Sequence, residues 1–191
     1  MPSVYDLKPR FQNLLRPVMH GLAGARISPN MVTVAAIAGS AAAGWYATVH
    51  SLWVLPVWLF IRMALNAIDG MMARELDQTS GLGAILNEVG DVVSDALLYV
   101  PLALVAEVAQ WPVVAFVFGA VMTEFCGVLQ QALTGVRRYE GPMGKSDRAF
   151  AVGLLALITF AWPDLLHYWN WIFWVLSFLT GATCWNRLRL R

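Results

Sequence analysis

Eight polar or charged residues stand inside segments that are otherwise apolar: Arg62, Asn66, Asp69, Asn87, Glu88, Asp91, Asp95 and Glu124. A polar side chain in apolar surroundings is costly, and in a bilayer its presence points to function. Asn66, Asp69 and Ala73 follow i, i+3 and i+7, one stripe of a helix bordered by Gly70. Gly83, Asn87, Asp91 and Asp95 step by four along a second helix, with Glu88 beside them. A short connection makes the two helices antiparallel neighbours, so the stripes can face each other. Oxygen ligands on a rigid frame suit Mg²⁺ or Mn²⁺. Polar contacts between helices account for one or two such residues, not for the whole set.

The elements that carry these stripes follow from composition. Of 191 residues, 59% are hydrophobic and 13% charged. A soluble domain averages about 25% charged. This balance excludes a disordered chain, a nucleic-acid-binding arm and an ordinary water-soluble enzyme. Six membrane helices of about 20 residues each would use most of the length. Residues 31–60 contain no charge. The apolar runs predict spans at 33–54, 55–74, 82–105, 111–133, 148–163 and 169–186. The expected fold is an all-α integral membrane domain covering 1–191, with a six-span bundle over 32–186. Cys126 and Cys184 lie in apolar runs and read as buried small residues. Residues 1–30 lack the continuous apolar core of a cleavable signal peptide.

The 13 Lys and Arg orient the bundle. Lys8, Arg10, Arg16 and Arg26 precede the first span and Arg74 ends the second. Arg137, Arg138, Lys145 and Arg148 lie between the fourth and fifth, and Arg187, Arg189 and Arg191 close the chain. With six spans these groups share one side, so both termini and the polar stripes are expected at the cytoplasmic face. Trp53, Trp111, Trp162 and Trp169 mark the opposite ends as an aromatic belt. Residues 4–24 carry Leu7, Phe11, Leu14, Leu15, Val18, Met19 and Leu22 at helical spacing, with Lys8, Arg10 and Arg16 for charge. This pattern predicts an interfacial amphipathic helix, started or kinked by Pro9 and Pro17. At about 1.5 Å per residue, Asp69 sits roughly 7 Å below the boundary set by Arg74 and Gly81. On the same scale Asn87 and Asp91 sit roughly 9–15 Å deep, and Arg62 and Asp95 roughly 18 and 21 Å deep. Unpaired charges at that depth are expensive, so Arg62 and Asp95 are expected to pair. A shallow site is open both to a lipid phosphate and to a water-soluble molecule.

Residues 66–91 read NAIDGMMARELDQTSGLGAILNEVGD. They resemble the signature of the CDP-alcohol phosphatidyltransferases, D-x2-D-G-x2-A-R-x8-G-x3-D-x3-D, at every interval. Asp69, Gly70, Ala73, Arg74, Gly83 and Asp91 match by identity, while Asn66 and Asn87 replace the first and third aspartates. Ser28-Pro29-Asn30 with Thr33, the six spans and the Gly144-Lys145 pair extend the resemblance. It implies transfer of a phosphatidyl group from CDP-diacylglycerol to a small polar alcohol, releasing CMP, in phospholipid biosynthesis. It further implies a divalent metal (Mg²⁺ or Mn²⁺) on Asn66, Asp69, Asn87 and Asp91, with Asp91 taking the acceptor proton. Gly70, Ala73, Arg74 and Gly83 would accommodate the CDP moiety. A homodimer in a bacterial inner membrane, embedded among lipids and without nucleic acid partners, completes the expectation.

Asparagine offers a carbonyl oxygen but no charge, so the two replacements leave metal binding short of two negative charges. Glu88 or Glu124 could compensate. Arg137, Arg138, Lys145 and Arg148 would form the acceptor pocket, suited to a phosphorylated polyol such as glycerol phosphate because Arg forks match phosphate oxygens. Two rivals stay open at this point: a small transporter or ion pathway lined by the acidic residues, and a catalytically impaired relative that only binds CDP-lipid.

Overall fold

The structure is a computed structural model that describes residues 4–189, with side chains from Pro9 onward. Leu7, Lys8 and Arg191 of the expected charge and apolar patterns lie outside the described side chains. The described residues form seven α-helices: α1 (Val4–Gly24), α2 (Pro29–Val49), α3 (Val54–Glu75), α4 (Gly81–Tyr99), α5 (Gln110–Thr134), α6 (Lys145–Ala161) and α7 (Trp169–Leu188). Single 3₁₀ turns follow α4 at Val100–Leu104 and α6 at Pro163–Tyr168. No strand occurs among the described residues.

Local sequence sets the helix ends. Ser28 caps α2 by accepting from the Met31 amide at 3.3 Å, and Pro29 occupies the first turn. This cap starts α2 four residues before the expected span; at its other end the helix stops at Val49 rather than Val54, with His50 as the C-cap. Ser80 caps α4 by accepting from the Gly83 amide at 3.0 Å. Asp147 caps α6 by accepting from the Gly144 amide at 3.0 Å, so α6 begins at Lys145, ahead of Arg148. Gly135 ends α5 in the left-handed region at φ 75°.

Helices α2, α3 and α5 are each long and apolar enough to cross a membrane. Helix α6 has 17 residues, and α4 carries Glu88, Asp91 and Asp95 in its 19. The helices pack by close approach of small residues, the device bilayer proteins use in place of apolar burial. A methyl on Gly44 would sit 2.2 Å from the Leu97 carbonyl oxygen, which locks α2 onto α4. One on Gly119 would sit 1.9 Å from Thr180 Oγ1, which locks α5 onto α7. Phe116, Phe173, Trp169, Tyr99 and Leu98 fill the core at the end away from the polar stripes. Trp169 therefore departs from the expected belt: it is fully buried and donates to Thr159 Oγ1 at 2.8 Å. Trp53, Trp111 and Trp162 are exposed.

Helix α1 starts ahead of Pro9, runs through Pro9 and Pro17, and docks on α3. Met19, Leu15 and Leu22 pack with Ile68, Met71 and Met72. Arg16 pairs with Glu75 at 2.9 Å, and Phe11 meets Phe60 edge-on at 6.1 Å. Leu14 and Val18 remain exposed on the outer face. The apolar stripe is thus divided between the bundle and the surroundings.

Candidate functional site

Two cavities open beside the α3–α4 pair. The larger, about 490 Å³, is lined by Asn66, Gly70, Arg74, Asn87, Glu88 and Asp91 from that pair. Arg62 lies at its floor, Glu124 and Arg187 on the α5–α7 side, and Arg137, Tyr139 and residues 144–147 across the opening. Phe11 and Gln12 of α1 also line it, a contribution the sequence reading did not assign. The smaller cavity, about 230 Å³, lies between the N-terminus of α2 and the α3–α4 turn. It is lined by Asn30, Thr33, Asp69, Ala73 and Gly83. Gly70, Arg74 and Asn87 border both cavities. The motif residues 66–91 thus surround one divided space, as the two facing stripes predicted.

Asp69 is buried. One oxygen accepts from Thr33 Oγ1 at 2.8 Å; the other, Oδ1, is enclosed and has no hydrogen-bond donor. An orphaned buried carboxylate oxygen is costly unless something positive meets it. Asp91 accepts from Lys145 Nζ and from Asn66 Nδ2, the latter at 3.3 Å. Two carboxylates and two amide carbonyls form a donor set that fits a hard divalent cation. Among the described residues no three Asp, Glu, His or Cys groups converge, so Asn66 and Asn87 would have to contribute. Glu88 and Glu124 do not fill that gap, because both are held by arginines. Glu88 pairs with Arg137, and Glu124 is bound by Arg137 at 3.2 Å and by Arg148 at 2.9 Å.

Beneath the cavity lies a buried ion network. Arg62 donates to Asp95 Oδ1 at 2.5 Å and to the Asp91 carbonyl at 3.0 Å. This is the ion pair expected from depth. Arg148 grips the other Asp95 oxygen at 2.8 and 3.0 Å, Glu124 at 2.9 Å and Thr123 Oγ1 at 2.7 Å. It is 1% exposed and does not reach the cavity surface. Arg138 also turns away, toward Glu140 at 3.3 Å and the Arg189 carbonyl at 2.8 Å. Of the four basic residues expected around the acceptor, the structure brings Arg137 and Lys145 to the cavity and leaves Arg138 and Arg148 out of its lining. Arg187, one of three arginines near the basic C-terminus with no spacing to set it apart, joins the lining instead. It bonds the carbonyls of Thr123 and Tyr139 and lies 3.7 Å from Glu124.

The helical bundle gathers the motif residues around a polar, divided cavity, and similarity to known proteins gives the family. The pattern of the CDP-alcohol phosphatidyltransferases matches residues 26–182, and the chain belongs to that family of enzymes. It is 45% identical to the inner membrane protein YnbA of Escherichia coli over 98% of this chain and 95% of that protein. It is 28% identical to the phosphatidylinositol phosphate synthase of Mycobacteroides abscessus over 90% of this chain and 82% of the relative. The fold matches the Mycobacterium tuberculosis phosphatidylinositol phosphate synthase PgsA1 solved with CDP-DAG bound. The TM-score is 0.79 at 20% identity, covering 92% of each chain. That synthase has also been solved in complex with manganese and citrate.

Proposed function

We propose that this protein transfers a phosphatidyl group from CDP-diacylglycerol to a small polar alcohol and releases CMP. The observation that carries the reading is the placement of Asp69 and Asp91 on facing helices beside the two joined cavities, with the Asp69 oxygen unpartnered. In this reading the alcohol oxygen attacks the phosphorus that bears the diacylglycerol, and the bond from that phosphorus to CMP breaks. Asp91 takes the hydroxyl proton. Arg74, on the border of both cavities, meets the pyrophosphate. Gly70, Ala73 and Gly83 leave room for the cytidine; a methyl on Gly83 would lie 3.0 Å from Asn30 Oδ1. Asn66, Asp69, Asn87 and Asp91 would hold Mg²⁺ or Mn²⁺, which neutralises the leaving CMP and polarises the phosphorus. Arg137 and Lys145 face the acceptor. A phosphorylated polyol is the acceptor that the basic 137–148 segment first suggests.

The setting is part of the same reading. Helices α2–α7 cross the membrane six times as one domain, with α1 in the headgroup layer and the site and both termini cytoplasmic. The exposed Leu14 and Val18 on α1 and the aromatic residues at the far ends support that placement. A homodimer is the proposed assembly.

The test incubates purified protein with CDP-diacylglycerol, Mg²⁺ or Mn²⁺ and a panel of alcohols, and reads CMP and new lipid by mass spectrometry. Acceptor-dependent CMP that disappears in Asp91→Asn supports the reading. Binding of CDP-diacylglycerol with no CMP under any condition would refute it.

A further inference from the structure

Every cation at the acceptor end of the larger cavity is already matched by a carboxylate. Arg137 is clamped between Glu88 and Glu124. Its guanidinium lies over the Tyr139 ring, 5.2 Å from the centroid, which fixes its plane. Arg187 is 2% exposed and committed to Glu124 and two backbone carbonyls. Lys145 is bound to Asp91. Asp147 adds another carboxylate to the lining. Arg137, Lys145 and Arg187 thus stand among Glu88, Asp91, Glu124 and Asp147, while the two other cations of the lining, Arg62 and Arg74, lie at the floor and on the border with the smaller cavity.

A phosphate monoester carries a charge of about −1.5 to −2 at pH 7 and needs freely offered donors. To enter here it would have to draw Arg137 from Glu88 and Glu124; Arg148 and Arg187 would still hold Glu124, but Glu88 would be left facing another anion. A divalent cation on Asp91 would release only Lys145, a single point charge. A net-neutral alcohol meets no such penalty. Its hydroxyls can donate to the Glu88 carboxylate, whose side chain is 39% exposed, and accept from Lys145.

Resting on the transferase reading above, we infer that the acceptor is a net-neutral polar alcohol without a phosphate, and that Glu88 sets this choice by holding Arg137. The reading and the inference separate in a paired measurement on the purified full chain with Mn²⁺. CDP-diacylglycerol binding is followed by calorimetry. Glycerol 3-phosphate binding is compared in wild type and Glu88→Gln, and product lipids are measured with glycerol, inositol and serine against their phosphorylated counterparts. Glycerol 3-phosphate should bind Glu88→Gln about tenfold or more tighter than wild type, the scale of one freed charged hydrogen bond. The wild type should make lipid from a neutral alcohol at least about tenfold faster than from a phosphorylated one. CDP-diacylglycerol binding together with a preferred phosphorylated acceptor overturns the inference alone. Equal glycerol 3-phosphate affinity in the two proteins also overturns it. Failure to bind CDP-diacylglycerol overturns the transferase reading and the inference together.

Discussion

Asp91 and Asp95 lie one turn apart on α4, and α6 answers each with a cation one turn apart: Lys145 binds Asp91, and Arg148 binds Asp95 at 2.8 Å. The two rungs differ in what surrounds them. Asp95 and Arg148 are 3% and 1% exposed, and both are saturated by Arg62, Glu124 and Thr123. The Asp91 and Lys145 side chains are 20% and 29% exposed and line the cavity. The upper rung can exchange partners with a substrate; the lower one is the foundation on which it stands.

The upper carboxylate is therefore the one expected to carry chemistry. Asp91→Asn keeps the size of the side chain and the contact with Asn66, so it should fold like wild type. CMP release should fall by about 10²–10⁴-fold, the usual loss on removing a general base. Activity within about threefold of wild type, measured on protein of unchanged melting temperature, would remove Asp91 from the mechanism.

The lower rung should answer through stability. Asp95→Asn leaves Arg62 and Arg148 without their shared counter-charge inside the bundle. Breaking a buried pair in this way costs about 3–5 kcal/mol. Unfolding in detergent should show that loss for Asp95→Asn, whereas Arg138→Ala should change stability by less than about 1 kcal/mol. Equal stability of Asp95→Asn and wild type would assign the network no structural part.

Helical periods of three and four put Asn66 with Asp69 and Asn87 with Asp91 on two stripes, and resemblance to the family signature gave those positions their expected roles. Depth alone foretold the Arg62–Asp95 pair. The basic segment was harder to read. Arg148 follows Lys145 by three residues, which puts it one turn deeper on the same side of α6, where Asp95 and Glu124 receive it. Arg138 is next to Arg137 yet turns out to Glu140, since the segment before α6 is irregular and has no period to follow. Trp169 was misplaced for a related reason: an indole at a helix end suits either a membrane interface or a core with a hydroxyl to receive its N–H, and Thr159 supplies the hydroxyl.

The proposed six-span topology can be tested by cysteine accessibility. Cysteines introduced at Ser80, before α4, and at Ser146, at the start of α6, should react only with reagent applied from the cytoplasm. A cysteine at Ser51, between α2 and α3, should react only from the opposite side. Labelling of positions 51 and 80 from the same side would contradict it.

The difference between Arg137 and Arg138 is open to kinetics. Arg137→Ala removes a cavity-lining cation and leaves Glu88 without the partner that positions it, while Arg148 still holds Glu124, so the acceptor KM should rise by about tenfold or more. Arg138→Ala removes a group paired at the surface with Glu140 and should leave both KM values within about twofold. Identical KM shifts for the two variants would show that the acceptor does not distinguish the two arginines.

Charge governs how the motif residues would meet a metal before the donor binds. Asn66 and Asn87 keep carbonyl oxygens at motif positions but bring no negative charge, and Lys145 already occupies Asp91. A divalent cation arriving alone must compete with that ammonium for one carboxylate while Asp69 supplies the other. It should bind weakly. The donor's pyrophosphate brings anionic oxygens of its own, so metal affinity should rise once a CDP-alcohol is present. Linkage requires metal to tighten the donor by the same factor, and such couplings are commonly about 5–150-fold. Calorimetric titration of Mn²⁺ with and without a CDP-alcohol should show this coupling. Lys145→Met should raise Mn²⁺ affinity without donor by relieving the competition at Asp91. Asn66→Asp combined with Asn87→Asp should do the same by adding charge, and both variants should weaken the coupling. Two tightly bound metals in the donor-free wild type would contradict the argument. So would a Lys145→Met variant whose metal affinity matches the wild type, because the ammonium would then be no competitor at Asp91.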